Sequence, residues 1–321
     1  MTGPRPGARP GLIRGHRRRA IVLGLVLALL MIGAGAGAVV VVANRLAAPT
    51  VCNPGDYDTI HISGARDGRL SHTKVTHWTL VSGADATWRG RTHYAIELGG
   101  DARVCLSGGT FIGTWPRDTS WSSMHGTAAV IVDAPRATVE DITVHGYGDS
   151  IRLEKRAGHF VVRRVNLSFS RDDCIENDAL LGGTVSQSLL DGCYNAFSAR
   201  SFHHEPSGDR NVWTIRSSLV RLQPMPRTYK DEKPIPGTAG FFKWDKNGPR
   251  LVLEDNVFRA DQKAGPVGLG LPPGKLKSCS GNTMVWLGKG PYPAHLPSCF
   301  KITRDKSVWD RAVASWHQAN G

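Results

Sequence analysis

The chain has 321 residues, a formal net charge of +13, six cysteines and an ordinary 7% of aromatic residues. Seven arginines and no acid fall in residues 1–45, which leaves 33 basic against 27 acidic residues for the rest. With no zinc-finger, P-loop or RNA-binding signature, that modest excess excludes nucleic acid as the partner and suits an anionic polysaccharide or cell-wall polymer.

Residues 1–19 form a basic tail. The next stretch, 20–43, holds no charge in 24 positions. At about 1.5 Å per residue a helix of that length crosses a roughly 30 Å hydrocarbon core. With Arg5, Arg9, Arg14, Arg17, Arg18 and Arg19 before it and only Arg45 close behind, the positive-inside rule keeps the N-terminus in the cytoplasm. The expectation is a single-pass signal anchor in the cell membrane with the C-terminal domain outside. A cleaved signal peptide ending near Ala36 or Ala38 is the competing reading and gives a secreted protein. Residues 44–51 are then a linker, and 52–321 an extracytoplasmic domain in which disulfides are allowed.

From about Tyr57 onward, short runs of Val, Ile and Thr are broken by Gly, Asp, Asn or Ser, which predicts an all-β fold. Val139-Glu-Asp-Ile142-Thr-Val144, Val162-Arg-Arg-Val165-Asn-Leu167 and Val185-Ser-Gln-Ser188-Leu-Leu190 start 23 residues apart, twice. Weaker copies begin at Ile215 and Leu253. Repeats of this length cannot bury their apolar faces alone and must stack, which predicts a right-handed parallel β-helix with coils of roughly 23 residues. Two Pro-rich segments, Leu222–Pro249 and Lys263–Pro297, read as insertions. Near the C-terminus Ser307 and Asp310 resemble a capping box, and Val308, Trp309, Ala312, Val313 and Trp316 share one helical face. That predicts a short capping helix over Ser307–Gln318, covering the open sheet edge.

The cysteines are spaced too widely for a zinc site. Cys52 with Cys105, and Cys279 with Cys299, are the expected disulfides. Cys174 and Cys193 are nearest in sequence, yet the repeat sets them three or four positions out of register. Their Cα atoms are therefore expected beyond the roughly 7 Å reach of a disulfide unless a turn folds back.

The densest group of chemically useful residues is Asp172-Asp173-Cys174-Ile175-Glu176-Asn177-Asp178. One coil earlier stands Asp149-Ser-Ile, and one coil later Asn195-Ala-Phe. The strict 23-residue ladder aligns Asp149 with Asp172, the polar-small-apolar triplets align it with Asp173, and a one-residue bulge reconciles the two. Four carboxylates in seven residues repel one another, so cations are expected nearby, with Arg171, Arg200 and Lys243 as candidates. Tyr194 and Trp244 are candidate sugar-stacking residues. His203-His204-Glu205 diverge on an extended chain and make a poor metal clip. Aligned Asp and Asn at successive turns also fit a purely structural ladder that binds the backbone of the next coil.

The Asp172-Asp173-Cys174-Ile175 turn, with Asp149-Ser-Ile before it, resembles the paired-aspartate turns of the polygalacturonase family in the pectate-lyase-like superfamily. The wider pattern is similar to that of bacterial membrane-anchored β-helix proteins. The first resemblance implies hydrolysis of a glycosidic bond with inversion, Asp172 acting as general acid and Asp149 and Asp173 activating water, with no cofactor. The chain departs from the family in that His145-Gly146 precedes the acidic turn and no Arg-x-Lys segment follows it. A lyase fits the same residues, with Asp172, Asp173, Glu176 and Asp178 holding Ca²⁺ and Arg200 or Lys243 as base or substrate clamp. The functional expectation is cleavage of an acidic polysaccharide by hydrolysis or elimination. The alternative is a non-catalytic glycan-binding or structural envelope protein.

Overall fold

The computed structural model describes residues 52–201, 205–228, 236–265 and 267–320. The basic tail, the 20–43 segment, the linker, and His203 with His204 lie outside the described residues. No helix among the described residues is long and apolar enough to cross a membrane.

Twenty-two strands among these residues stack in parallel as a β-helix. The 23-residue repeat sets the register: Val139 pairs with Val162, Val162 with Val185, Val185 with Ile215, and Ile215 with Leu253. Ile60, Val81 and Leu106 extend the same column toward the N-terminus. A second column runs Phe111, Val144, Leu167, Leu190, Val220, Phe258 and Met284. A third runs Ile96, Val130, Ile151, Ile175, Phe197 and Phe242. Every one of these except the partly buried Ile60 has under a tenth of its surface exposed, so each coil completes the core of its neighbours.

The bend from the first column to the second is short and repeats with the coils. It passes through one left-handed residue each time: Asp141, Arg164, Gln187, Ser217 and Asp255 have φ between 48° and 57°. Beside this bend Asn256 and Asn282 stack, with Asn256 Nδ2 donating to Asn282 Oδ1 at 2.9 Å.

The bend from the second column to the third varies. Coils carrying Gly146–Gly148, Ser170–Asp172 and Cys193–Tyr194 turn tightly, while the flanking coils insert residues 114–127 on one side and 223–239 on the other. The site described below lies on the tight turns. Both expected insertions are shorter than their composition suggested. Gly240–Trp244 is a strand paired with Asn195–Ala199, and Leu276–Ser280 and Asn282–Trp286 continue the first two columns. Their inward Phe242, Cys279 and Met284 supply the core contacts that the surrounding Gly, Pro and Lys obscure.

The C-terminal helix forms over Lys306–Asn320. Rather than closing the end of the stack, it lies on the outer face of the second column. Leu189, Leu219, Val257 and Val285 face outward on successive coils, and Trp309, Val308, Ala312, Val313 and Trp316 cover them. Four apolar side chains in a row on an outer face need a cover more than one strand edge does.

All six cysteines are paired. Cys52–Cys105 and Cys279–Cys299 form as expected. Cys174 and Cys193 are also joined, with Cα atoms 5.5 Å apart, which corrects the expectation that they stand too far apart. The register places Cys193 beside Ser170, as the repeat implies. Four residues of straight strand would then separate Cys174 from that level by about 13 Å. Instead the corner between Ser170 and Asp173 folds the chain back, leaving Cys174 Sγ 3.3 Å from Ser170 Oγ.

Candidate functional site

The corner that closes the disulfide also builds the site. Between Ser170 and Asp173 the strand carries one residue more than its partner, so Asp173 pairs with Asn195 and Ile175 with Phe197. On the other side Ile151 pairs with Ile175, which sets Asp149 one coil from Asp173. The backbone N–H of Asp173 donates to Asp149 Oδ1 at 3.0 Å. The pairing follows the polar-small-apolar triplets, which set Asp149 opposite Asp173, and Arg171 and Asp172 form the bulge, their N–H groups donating to the carbonyls of Tyr147 and Gly148.

Five carboxylates gather here with two cations. Lys243 Nζ lies 2.5 Å from Asp173 Oδ2. Arg152 bridges two acids: Nη2 donates to Asp149 Oδ2 and Nε lies 3.1 Å from Glu176 Oε1. Asp178 turns away, its Oδ1 accepting from the Ser198 hydroxyl at 2.7 Å and the Arg200 N–H at 3.0 Å. Asp149 and Asp173 have no exposed surface and Asp172 is 5% exposed.

Burial governs the protonation of this group. It pushes Asp172 up to about 6, against the opposing pull of Lys243 and with the help of the Asp149 charge. It likewise raises Asp173, Glu176 and Asp178 above the ordinary carboxylate range, with Lys243 opposing at Asp173 and Asp178 and Arg152 opposing at Glu176. Burial disfavours the Lys243 ammonium too, but Asp173, Asp172 and Asp178 together hold it charged above the usual lysine value. Two fixed cations do not balance five carboxylates, and this adds to burial in favouring the protonated forms of Asp172, Asp173 and Glu176.

A strap from the neighbouring coil covers the corner. It runs from Trp115 through a single-turn helix, Trp121–Met124, to Thr127. Trp121 Nε1 donates to Asp172 Oδ1 at 3.1 Å, and the Trp121 ring stacks on His125 at 4.3 Å. The His125 carbonyl accepts from Arg152 at 3.1 Å. Gly148 lets the strap approach: a Cβ there would run into the Met124 carbonyl oxygen, and its N–H donates to Thr127 Oγ1 at 2.8 Å.

The other expected residues are placed as follows. Arg171 is buried and holds the strap by donating to the Pro116 carbonyl at 2.9 Å and to that of Thr119. Arg200 is exposed, with its backbone on Asp178. Tyr194 is buried in an apolar cluster with Phe169, Met225 and Ala239, against which Trp121 packs. Trp244 packs on Trp213 and donates to the Pro249 carbonyl, so its ring serves the core. Glu205 pairs with Lys155 at 3.2 Å. Arg152 was not anticipated. Its only signal was its place three residues after Asp149, and the coil above it, carrying Glu176, decides its role.

The carboxylates whose oxygens converge are Asp149, Asp173 and Glu176, within 4.8 Å of one another. Asp172 and Asp178 are outside that trio. Asp149 already serves the Asp173 N–H and Arg152, and Asp173 Oδ2 serves Lys243, which leaves Asp173 Oδ1 as one buried oxygen without a hydrogen-bond donor. Ca²⁺ takes about six to eight oxygens. These three carboxylates do not supply that number on their own.

A parallel β-helix protein with a buried, cation-braced acidic corner under a tryptophan strap is the class that these features define. No known protein family matches the chain, and no curated protein matches it. Among solved structures it is similar to a pectin methylesterase in complex with a hexasaccharide, at 14% identity over 82% of this chain and 87% of that one, with a TM-score of 0.38. A likeness that distant carries no argument about activity.

Proposed function

We propose that the domain cleaves an acidic polysaccharide by hydrolysis, with Asp172 as proton donor. The observation that supports this reading is the state of Asp172. It is the least buried of the three aspartates at the corner, is indexed by Trp121 Nε1, and holds a proton up to about pH 6. A general acid needs a pKa near the working pH so that it carries a proton and can still release it. Asp149 and Asp173 are the candidates for activating water, and reaching them requires the strap to move. Elimination is less well supported, because the Lys243 ammonium is held charged by three acids and is no base. In this reading the 20–43 segment holds the domain at the outer face of the membrane. The three disulfides suit that compartment.

The test is to incubate the full-length chain with uronate and cell-wall polymers, with Ca²⁺ or a chelator, and follow new reducing ends and unsaturated-product absorbance. Hydrolysis gives reducing ends without absorbance, indifferent to chelator, with a rate that falls as the pH rises past about 6. Asp172→Asn lowers that rate by roughly 10²–10⁴-fold. Absorbance would make the protein a lyase, and a silent panel would sink the catalytic reading. One observation favours a second reading, non-catalytic glycan binding: Asp149 and Asp173 are wholly enclosed. Polymer retention without product would establish it.

A further inference from the structure

Next to the acidic corner the same bulge carries a cation with no acid partner. Arg171 is 3% exposed, and its hydrogen bonds run to two carbonyls of the strap; no ion pair is formed by it among the described residues. A buried guanidinium is ordinarily matched by a carboxylate. Here more positive charge gathers instead. The guanidinium carbons of Arg117 and Arg171 lie 5.1 and 5.7 Å from the centroid of Phe169, and the ring of His145 stacks on Phe169 at 5.7 Å. Arg117 also disfavours the His145 cation, after burial does. Among the described residues the acid whose field reaches Arg171 is Asp118, which is exposed on the strap and makes no ion pair with it.

We propose that Arg117 and Arg171, gathered around Phe169, form a subsite for an oxyanion carried on a polymer: a carboxylate, sulfate or phosphate group. Arg117 is exposed and makes the direct contact, and a guanidinium fork matches any of the three oxyanions in two-point geometry. Arg171 supplies its charge from behind without reaching the ligand, and it keeps the strap that bears Arg117 in place. Trp121, which donates to Asp172, also packs against the Phe169 cluster, so a bound charged group would lie on the side of the strap that borders the proton donor. This deepens the hydrolytic reading by locating the charge on the substrate, but binding is independent of turnover.

The experiment titrates the full-length chain with inorganic sulfate, inorganic phosphate and monomeric glucuronate, with chloride at matched ionic strength as the control, by calorimetry and thermal shift. Saturable binding of at least one oxyanion is expected, and the tightest of the three identifies the group. Arg117→Gln should weaken it about tenfold, the loss of one charge-assisted contact. Asp118→Asn should tighten it, and Arg136→Gln, at a distant turn, should leave it unchanged. The absence of saturable binding overturns the proposal, as does equal loss in the Arg117 and Arg136 variants. Intact anion binding with a silent polymer panel would remove the hydrolase and keep the subsite. Turnover without anion binding would do the reverse.

Discussion

At the scale of single residues, the corner stores its protons at a cost that depends on pH. The ordinary carboxyl value for Asp172 is 3.8 and burial raises it to about 6, so the folded chain binds that proton more tightly than the unfolded one. The resulting stability is fully present below about 3.8 and is lost as the pH rises through about 6. The difference corresponds to about 2–3 kcal/mol. Thermal midpoints should therefore fall between pH 4 and pH 7, and Asp172→Asn, which keeps the Trp121 hydrogen bond but does not titrate, should flatten the decline. A profile equally steep in that variant would place the titration elsewhere. Lys243→Met leaves Asp173 enclosed with no cation and should destabilise by about 3–5 kcal/mol. Adding Asp173→Asn should restore much of this. Equal losses in the single and double variants, read from denaturant midpoints, would mean that Lys243 acts through packing alone. The sequence exposed the acids of this corner because they are contiguous. It hid the contacts of Arg152 with Glu176 and of Trp121 with Asp172 because each reaches a coil other than its own.

At the scale of elements, the inward columns were legible because β-branched and Leu residues recur at the coil period, and the structure reads them in register. The Cys174–Cys193 bond was not legible, because a register argument treats the strand as straight and the bulge at Arg171–Asp172 bends it. The helix was legible as a helix but not in its position, since its apolar stripe names no partner. The outward Leu189, Leu219 and Val257 were the available signal. Sequence also cannot show that the repeating bends run through left-handed residues. Gln187 is one of them, at φ 52°, a conformation that costs an ordinary L-residue roughly 1–2 kcal/mol. Its N–H donates to the Arg216 carbonyl and its own carbonyl accepts from Trp316, bonds that glycine keeps. Gln187→Gly should therefore raise stability by about 1 kcal/mol net of the added freedom of the unfolded chain. A loss would show that the Gln187 side chain contributes more than its backbone strain costs.

At the scale of the molecule, each coil touches mainly its neighbours, so stability is distributed along one axis and the ends are its weak points. The bond Cys52–Cys105 fastens the start of the described chain to the third coil, and Cys279–Cys299 fastens the last coils. Between them the central coils hold fully buried Phe160, Phe197 and Trp213, with edge-to-face ring contacts at 5.5 and 5.7 Å, and need no clamp to stay closed. The central bond Cys174–Cys193 closes a short loop between coils that are already packed on both sides. Reduction should consequently open the molecule from its ends. Amide exchange after treatment with a thiol should accelerate first in Asp58–Val75 and Leu276–Thr303, while the strands from Thr138 to Ala199 keep their protection. The acidic corner lies in that protected stretch, so Asp172 should keep its raised pKa in the reduced protein. Uniform acceleration along the chain would mean that the stack opens as one cooperative unit. Early exchange at Asn166–Glu176 would mean that the central disulfide, rather than the ring contacts, holds the corner in shape.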